Sequence, residues 1–536
     1  MRNTIRAAVA VALLLPLLAE TASQAAITTK LACTREGVTA SAADVMSANT
    51  RTHAVSSDYS WSKSSVRDVT LKSSLTITRA GTYRVHGTLK NGRIVVNSNG
   101  NGVVRLILAG ARISNPASAA INIKAAAKAV VVLEPGTSNT LTDGPSRAAT
   151  DDSSAALYSK AALTITGRGA LLVRGRYRDG IGGSDGLVIT GGAITVTARD
   201  DGVRGKHYVH ISGGTLGVTS GGDGIRSAGS SASTIGYVYI GGTSKVTVNA
   251  SSDAIRGISD VVIAGGSLRL TAAMDGIKSS CVSYLTKATV RISAGNDAVH
   301  SDGETVVRGG SIDIVKAYEG LQGASLEISG GTLRMTTSND GLHVASESVT
   351  AVSPLPQPSP TSTKIPVFSN SVTRRLAISG GTTVINALGD GIDVNGPATI
   401  AGGRLIISGP VAAKDAAMDV IGEFRVTGGM VIGVGPAAAA MGPSVGSSQA
   451  SVLANLAGSQ AAGTIVHLAD GAGKLLASFR SAKPFQSLIF TSPAIVKGRA
   501  YTVYVGGSVS GASLGGYFAK GSIVGATPLG VFTATA

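Results

Sequence analysis

Apolar and polar positions alternate along this chain in short bursts. In Ala193-Ile194-Thr195-Val196-Thr197 the apolar residues fall on every second position, and Thr215-Leu216-Gly217-Val218-Thr219 repeats the pattern. Most bursts follow a Gly-Gly pair, such as Gly213-Gly214, Gly265-Gly266, Gly309-Gly310, Gly330-Gly331, Gly402-Gly403 and Gly428-Gly429, and they end at an acidic residue followed by Gly or Ala. Alternation with period two, rich in Ile, Val and Thr and bounded by Gly, predicts short strands; nothing between the bursts has helical spacing. The acidic marker recurs at Asp179, Asp201, Asp223, Asp253, Asp275, Asp297, Glu319, Asp340 and Asp390, with spacings of 22, 22, 30, 22, 22, 22, 21 and 50 residues. A fixed period near 22 residues is the signature of a solenoid. The Leu ladder and consensus Asn of leucine-rich repeats are missing, and the period excludes a calcium roll built on nine-residue units. The expected fold is all-β: a right-handed parallel β-helix whose turns stack about 4.8 Å apart. The Gly pairs mark its corners, where φ turns positive.

Read in order, residues 1–26 form a signal peptide. Arg2 and Arg6 supply its basic end, Ala7 to Leu18 its apolar core and Ser23-Gln24-Ala25 its cleavage region. That apolar core is too short to span a bilayer and no later segment qualifies, so a secreted, extracellular or wall-associated protein without a transmembrane segment is expected. Residues 27–68 read as an N-terminal tail or cap, 69–440 as the β-helix and 445–536 as a small C-terminal β unit that closes it. The repeat is stretched twice, near Ser227–Ile235 and by a Pro-rich insertion at 351–373. Each open end of a β-helix exposes unpaired strand edges, so a cover is needed at both.

Charge narrows the partners. The formal net charge is +16, and losing two Arg and one Glu with the signal peptide leaves +15. So basic an exported chain suits an anionic partner, or simply keeps the protein soluble. Nucleic acid is disfavoured, because Lys and Arg form no run and aromatic residues are only 4% of the chain. The two cysteines, Cys33 and Cys281, allow one pair but no disulfide framework.

The chemistry lies in the marker column. Equivalent residues of a β-helix stack, so the carboxylates would stand about 5 Å apart and repel by roughly 1 kcal/mol per pair in water, or roughly 3–4 kcal/mol at an effective dielectric near 20. Two forms of compensation are available. Three residues after the marker come Arg204, Arg226, Arg256, Lys278, His300 and His343, a second column that is mostly basic, interrupted by Gln322 and Asp393. The other is calcium, which takes six to eight oxygen ligands. Asp200-Asp201 is the densest spot, and Asp179, Asp200, Asp201, Asp223, Asp253 and Asp275 are the metal candidates. No HExxH, paired-cysteine zinc pattern or Walker loop is present. His207 and His210 point to opposite faces of a strand, and Trp61 lies outside the repeat, leaving scattered tyrosines such as Tyr177, Tyr208 and Tyr318 as candidates for stacking on single sugars.

Several blocks carry a resemblance. TITRAGTYRVHGTLKNGRIVVNSNGNGVVRLILAGARIS at 76–114, AINIKAAAKAVVVLEPGTSNTLTD at 120–143, ALTITGRGALLVRGRYRDGI at 162–181, the DGVRGK and GGDGI repeats and SPAIVKGRAYTVYVGG at 492–507 resemble the secreted carbohydrate-binding domain-containing protein family. That resemblance implies a calcium-binding parallel β-helix similar to family 9 pectate lyases, with binding of plant-wall polysaccharide such as cellulose and pectic acid. Carried over by motif, it implies Asp179, Asp200, Asp201 and Asp223 as calcium ligands. The chain departs from the family at Ala161-Ala162, which replaces an acidic pair, at Ala254 and Ala298, which replace Gly, and at Glu319, which replaces Asp.

The expected function is that of a monomeric, calcium-stabilised binding protein for acidic, pectin-like polysaccharide, with Arg204, Lys206, Arg226, Arg256, Lys278 and Tyr208 contacting the sugar. The first alternative is a polysaccharide lyase acting by β-elimination, with Lys206 or Lys278 as base. The second is an adhesin or wall scaffold.

Overall fold

The computed structural model describes residues 49–50, 52–99, 102–149, 151–229, 236–345 and 374–535. The signal peptide, Cys33, the Pro-rich insertion and most of the loop at 227–235 lie outside the described residues.

Each repeat contributes three strands. In one turn these are Ala193–Ala198, Val203–Gly205 and Tyr208–Ile211, and the chain then re-enters the first sheet at Thr215–Ser220. Pairing between turns is parallel and in register: Ile194 lies beside Leu216, then Val246, Leu268 and Val290. About 14 turns stack in this way into a parallel β-helix. Three sheets run along the molecule: a long-strand sheet, a short-strand sheet just after the acidic markers, and a third sheet leading back to the Gly-Gly corner. Alternation decides which side chains go inside. Ile194, Val196, Val203, Val209 and Ile211 of one turn are all buried, and full burial of such a side chain is worth about 1.5–3 kcal/mol.

The corners require Gly. The second residue of each pair has positive φ, as at Gly192 (97°), Gly214 (81°) and Gly266 (83°). A Cβ on Gly214 would also stand 2.7 Å from the Gly192 carbonyl oxygen.

The C-terminal unit does more than close the end. Phe485–Thr491 pairs antiparallel with the last long strand, Met430–Gly435, and with Ser451–Gln460, covering the free edge. A separate five-stranded antiparallel sheet includes Ile465–Asp470 and Ala500–Ser510. Its Val466, Phe479 and Val503 share a second core with Val384, Ile406 and Ile432, which project from the outer face of the long-strand sheet.

At the other end, Val66–Asp68 already belong to the first strand, Val66–Leu71, which leaves a shorter N-terminal tail. Its described part runs along the flank, across the outer face of the third sheet. Asn49 Nδ2 donates to Asp260 Oδ2 (2.7 Å), the His53 amide donates to the Tyr208 hydroxyl (2.8 Å), and Lys128 Nζ pairs with Asp58 Oδ1 (2.5 Å). Trp61 then lies beneath the Arg105 guanidinium, 5.1 Å from the ring centroid. This strap crosses turns far apart in sequence. Cys281, on the same flank, is disulfide-bonded.

Gly214 and Gly217 separate corner from strand. Gly214→Ala should destabilise the protein by about 2 kcal/mol, from left-handed strain and the carbonyl clash. A Cβ on Gly217 meets nothing within 4 Å, so Gly217→Ala should stabilise by about 0.5–1 kcal/mol. Urea unfolding of the two variants checks both signs.

Candidate functional site

The acidic markers end the long strands and turn the chain into the short-strand sheet, which places their side chains in one buried column. Asp179, Asp201, Asp223, Asp253, Asp275, Asp297, Glu319 and Asp340 are all buried. Most of these carboxylates have two tasks. One oxygen accepts the backbone N–H of the marker on the next turn: Asp201 from Asp223 (3.0 Å), Asp223 from Asp253 (3.1 Å), Asp253 from Asp275 (3.0 Å) and Asp275 from Asp297 (3.1 Å). The other oxygen faces the cationic column. Arg226 reaches Asp201 (3.5 Å) and Asp223 (3.4 Å), Arg256 reaches Asp253 (3.6 Å), and Lys278 holds Asp275 at 2.8 Å. Along the middle rungs internal pairing therefore supplies the compensation, and Asp223, Asp253 and Asp275 are engaged by amide and cation.

The first rung differs. Asp179, Asp200 and Asp201 offer carboxylate oxygens that all lie within 4.8 Å of one another. Asp179 is fully buried, and its Oδ1 has no hydrogen-bond partner. Its Oδ2 accepts from Ser154 Oγ at 3.0 Å and lies 3.6 Å from Arg204. Burial pushes the Asp179 carboxyl up, and burial against the Arg226 charge brings Asp201 to about 6. A buried carboxylate oxygen without a donor, beside two further carboxylates, is suited to a hard divalent cation with oxygen ligands.

A second set gathers where the cationic column fails. Glu319, Asp340 and His343 form one group, and Asp340, Asp390 and Asp393 another. Here Asp393 and Asp419 occupy the register positions that carry Arg or Lys in earlier turns. His343 Nδ1 lies 2.6 Å from Glu319 Oε2. Burial, with Asp390, Glu319 and Asp393 nearby, pushes Asp340 up to about 7. The break at Gln322 and Asp393 was the sequence signal for this set.

The sugar-contact candidates fare unevenly. Arg204, Arg226 and Arg256 are each about one-third exposed while spanning two carboxylates. Lys206 is exposed at the start of the third sheet. Tyr208 is a correction: its hydroxyl is taken by His53, and its ring stacks on Tyr237 at 5.1 Å, so it is engaged by the strap rather than presented to a ligand. Lys278 lacks the character of a base. Burial favours loss of its proton, but Asp275 outweighs that and raises its pKa. His207 and His210 have separate partners: His207 Nδ1 lies 2.9 Å from Asp185, and His210 stacks on Tyr239.

Two outcomes follow from the ladder. Asp253→Ala leaves the buried Asp275 amide without its acceptor, while Asp253→Asn keeps an oxygen there; the Ala variant should be less stable by about 1–3 kcal/mol, measured by denaturant unfolding. The second concerns pH. Asp201 and Asp390 sit near 6 and Asp340 near 7, all chiefly through burial. Burial lowers His300, but hydrogen bonds to Asp297 and Asp302 prevail and raise it to about 10. All four groups bind protons more tightly folded than unfolded. The carboxyl contributions are full below about pH 4 and vanish by about pH 7; the His300 contribution is full below about pH 6.5 and vanishes by about pH 10. The melting temperature in chelator should therefore fall from pH 5 to pH 8, and His300→Asn should flatten the upper part of that slope.

A search of curated proteins gives no match. Among solved structures, the polysaccharide lyase-like protein from C. thermocellum, in a gadolinium derivative, is 31% identical, with 45% of this chain and 87% of that one covered and a TM-score of 0.36. The family model that matches describes a carbohydrate-binding domain-containing protein and spans residues 72–349, which hold all but the last acidic marker. The chain belongs to the carbohydrate-binding domain-containing protein family.

Proposed function

We propose that this chain is a secreted, calcium-stabilised protein that binds acidic, pectin-like polysaccharide as a monomer. Family membership supports the carbohydrate. The observation that carries the metal is Asp179 Oδ1, buried without a donor in a group of three carboxylates. Asp179, Asp200 and Asp201 would hold the ion, and its charge would lower the cost of keeping them ionised. The net charge of +16 favours a polyanion over a neutral glucan.

A lyase would need a base near a metal-bound uronate. Lys278 is held as an ammonium by Asp275, and that pairing favours binding over catalysis.

Purified protein incubated with polygalacturonate, with and without a calcium chelator, tests the reading. Retention that is lost in chelator, with no growth in the ultraviolet absorbance of unsaturated uronide, is expected. Asp179→Asn should give the same loss of retention without chelator, through loss of the ion that steadies the first turns and not through loss of a sugar contact. Steady absorbance growth abolished by Lys206→Ala would establish the lyase instead, and absence of both signals would leave a wall or adhesion scaffold.

A further inference from the structure

The outer face of the long-strand sheet is built unlike the ladder. Nine consecutive strands, from Ser138–Thr142 to Thr332–Thr337, lie side by side, a span of roughly 40 Å at the usual strand spacing. Those strands hold Arg174, Lys245, Arg269, Arg291, Lys316 and Arg334 but a single acidic residue, Asp313. The register places Arg269, Arg291, Asp313 and Arg334 in one column on successive strands. Asp313 pairs with Arg291. Among the described residues, Arg174, Lys245, Arg269 and Arg334 have no carboxylate partner.

Like charges stacked on neighbouring strands repel and are destabilising when nothing opposes them. In the ladder, Arg226, Arg256 and Lys278 each have a carboxylate within 4 Å; on this face the cations are exposed and left over. Between the two cationic ends run exposed hydroxyls at the strand repeat, Thr195 and Thr247 in one column and Thr197, Thr219 and Thr271 in the next. At the N-terminal end, Lys90, Arg112 and Arg174 line a shallow depression of about 340 Å³ with Thr140 and Thr142. At the other end the C-terminal unit covers Val384 and Ile406.

We infer that this open face, and not the acidic ladder, is the surface that binds polysaccharide, and that its occupant is a linear polyuronate lying along the solenoid axis. Unpaired Arg and Lys meet the carboxylates through charge-assisted hydrogen bonds, and the threonine columns meet the sugar hydroxyls. This inference rests on the reading of the ligand as an acidic polysaccharide. It assigns the ladder to holding the turns together and the open face to recognition.

Full-length protein is titrated with polygalacturonate at low salt, with Lys245→Gln/Arg269→Gln/Arg334→Gln, Asp313→Asn and Arg226→Gln measured beside it. The triple variant should weaken binding by about tenfold or more while its melting temperature holds. Asp313→Asn, which frees Arg291, should tighten it. Arg226→Gln should lower stability and leave affinity unchanged. Wild-type binding that the triple variant and Asp313→Asn leave untouched overturns the inference and spares the proposed ligand. No wild-type retention on polygalacturonate overturns both, and tighter binding to single-stranded DNA than to polyuronate replaces the polysaccharide with nucleic acid.

Discussion

One constraint governs the rest: in the middle turns of this solenoid a backbone amide is buried at the acidic marker, and that amide must find an acceptor. For Asp223, Asp253, Asp275 and Asp297 the preceding turn supplies it as a carboxylate oxygen. This solves the amide's problem and creates another, a stack of buried negative charges at strand spacing. The cation three residues along resolves that in turn, bridging two rungs at once where it is Arg226. The repeat is thus a chain of obligations passed from turn to turn. It is left open in two places: at Asp179, where one oxygen has no donor, and beyond His343, where the cations give out.

Much of this was legible in the sequence because it is periodic. The spacing of the markers gave the solenoid, the alternation gave the buried face, and the Gly pairs gave the corners. Even the first acidic group could be read from Asp200-Asp201 beside a marker. The strap could not, since residues 52–62 have no repeat and their contacts depend on which flank they meet. Tyr208 looked like a free aromatic ring for that reason; nothing near it in sequence announces His53. The threonine and arginine face was overlooked for the opposite reason. Outward residues on a half-buried strand are expected to be polar, so their sign and lack of partners became visible only once the register set Arg269 beside Arg291.

The division between paired and unpaired cations bears on how a carbohydrate-binding scaffold changes its ligand. Replacing a ladder residue disturbs an amide, a carboxylate and two turns. Replacing a residue on the open face disturbs little besides the surface charge. The same fold can therefore hold its interior fixed while its outer columns vary, much as loops vary over a rigid frame.

The strap gives the molecule a topology its repeats lack. In a plain solenoid each turn touches only its neighbours, so turns can fray one after another from an end. Here Asn49 holds Asp260 across 211 residues, and Lys128 reaches Asp58 on the same crossing segment. Such long-range closures carry a loop-closure cost that contacts between neighbouring turns do not. Once formed, they make distant turns share one fate, so a stack that would open gradually is bound into a single cooperative unit.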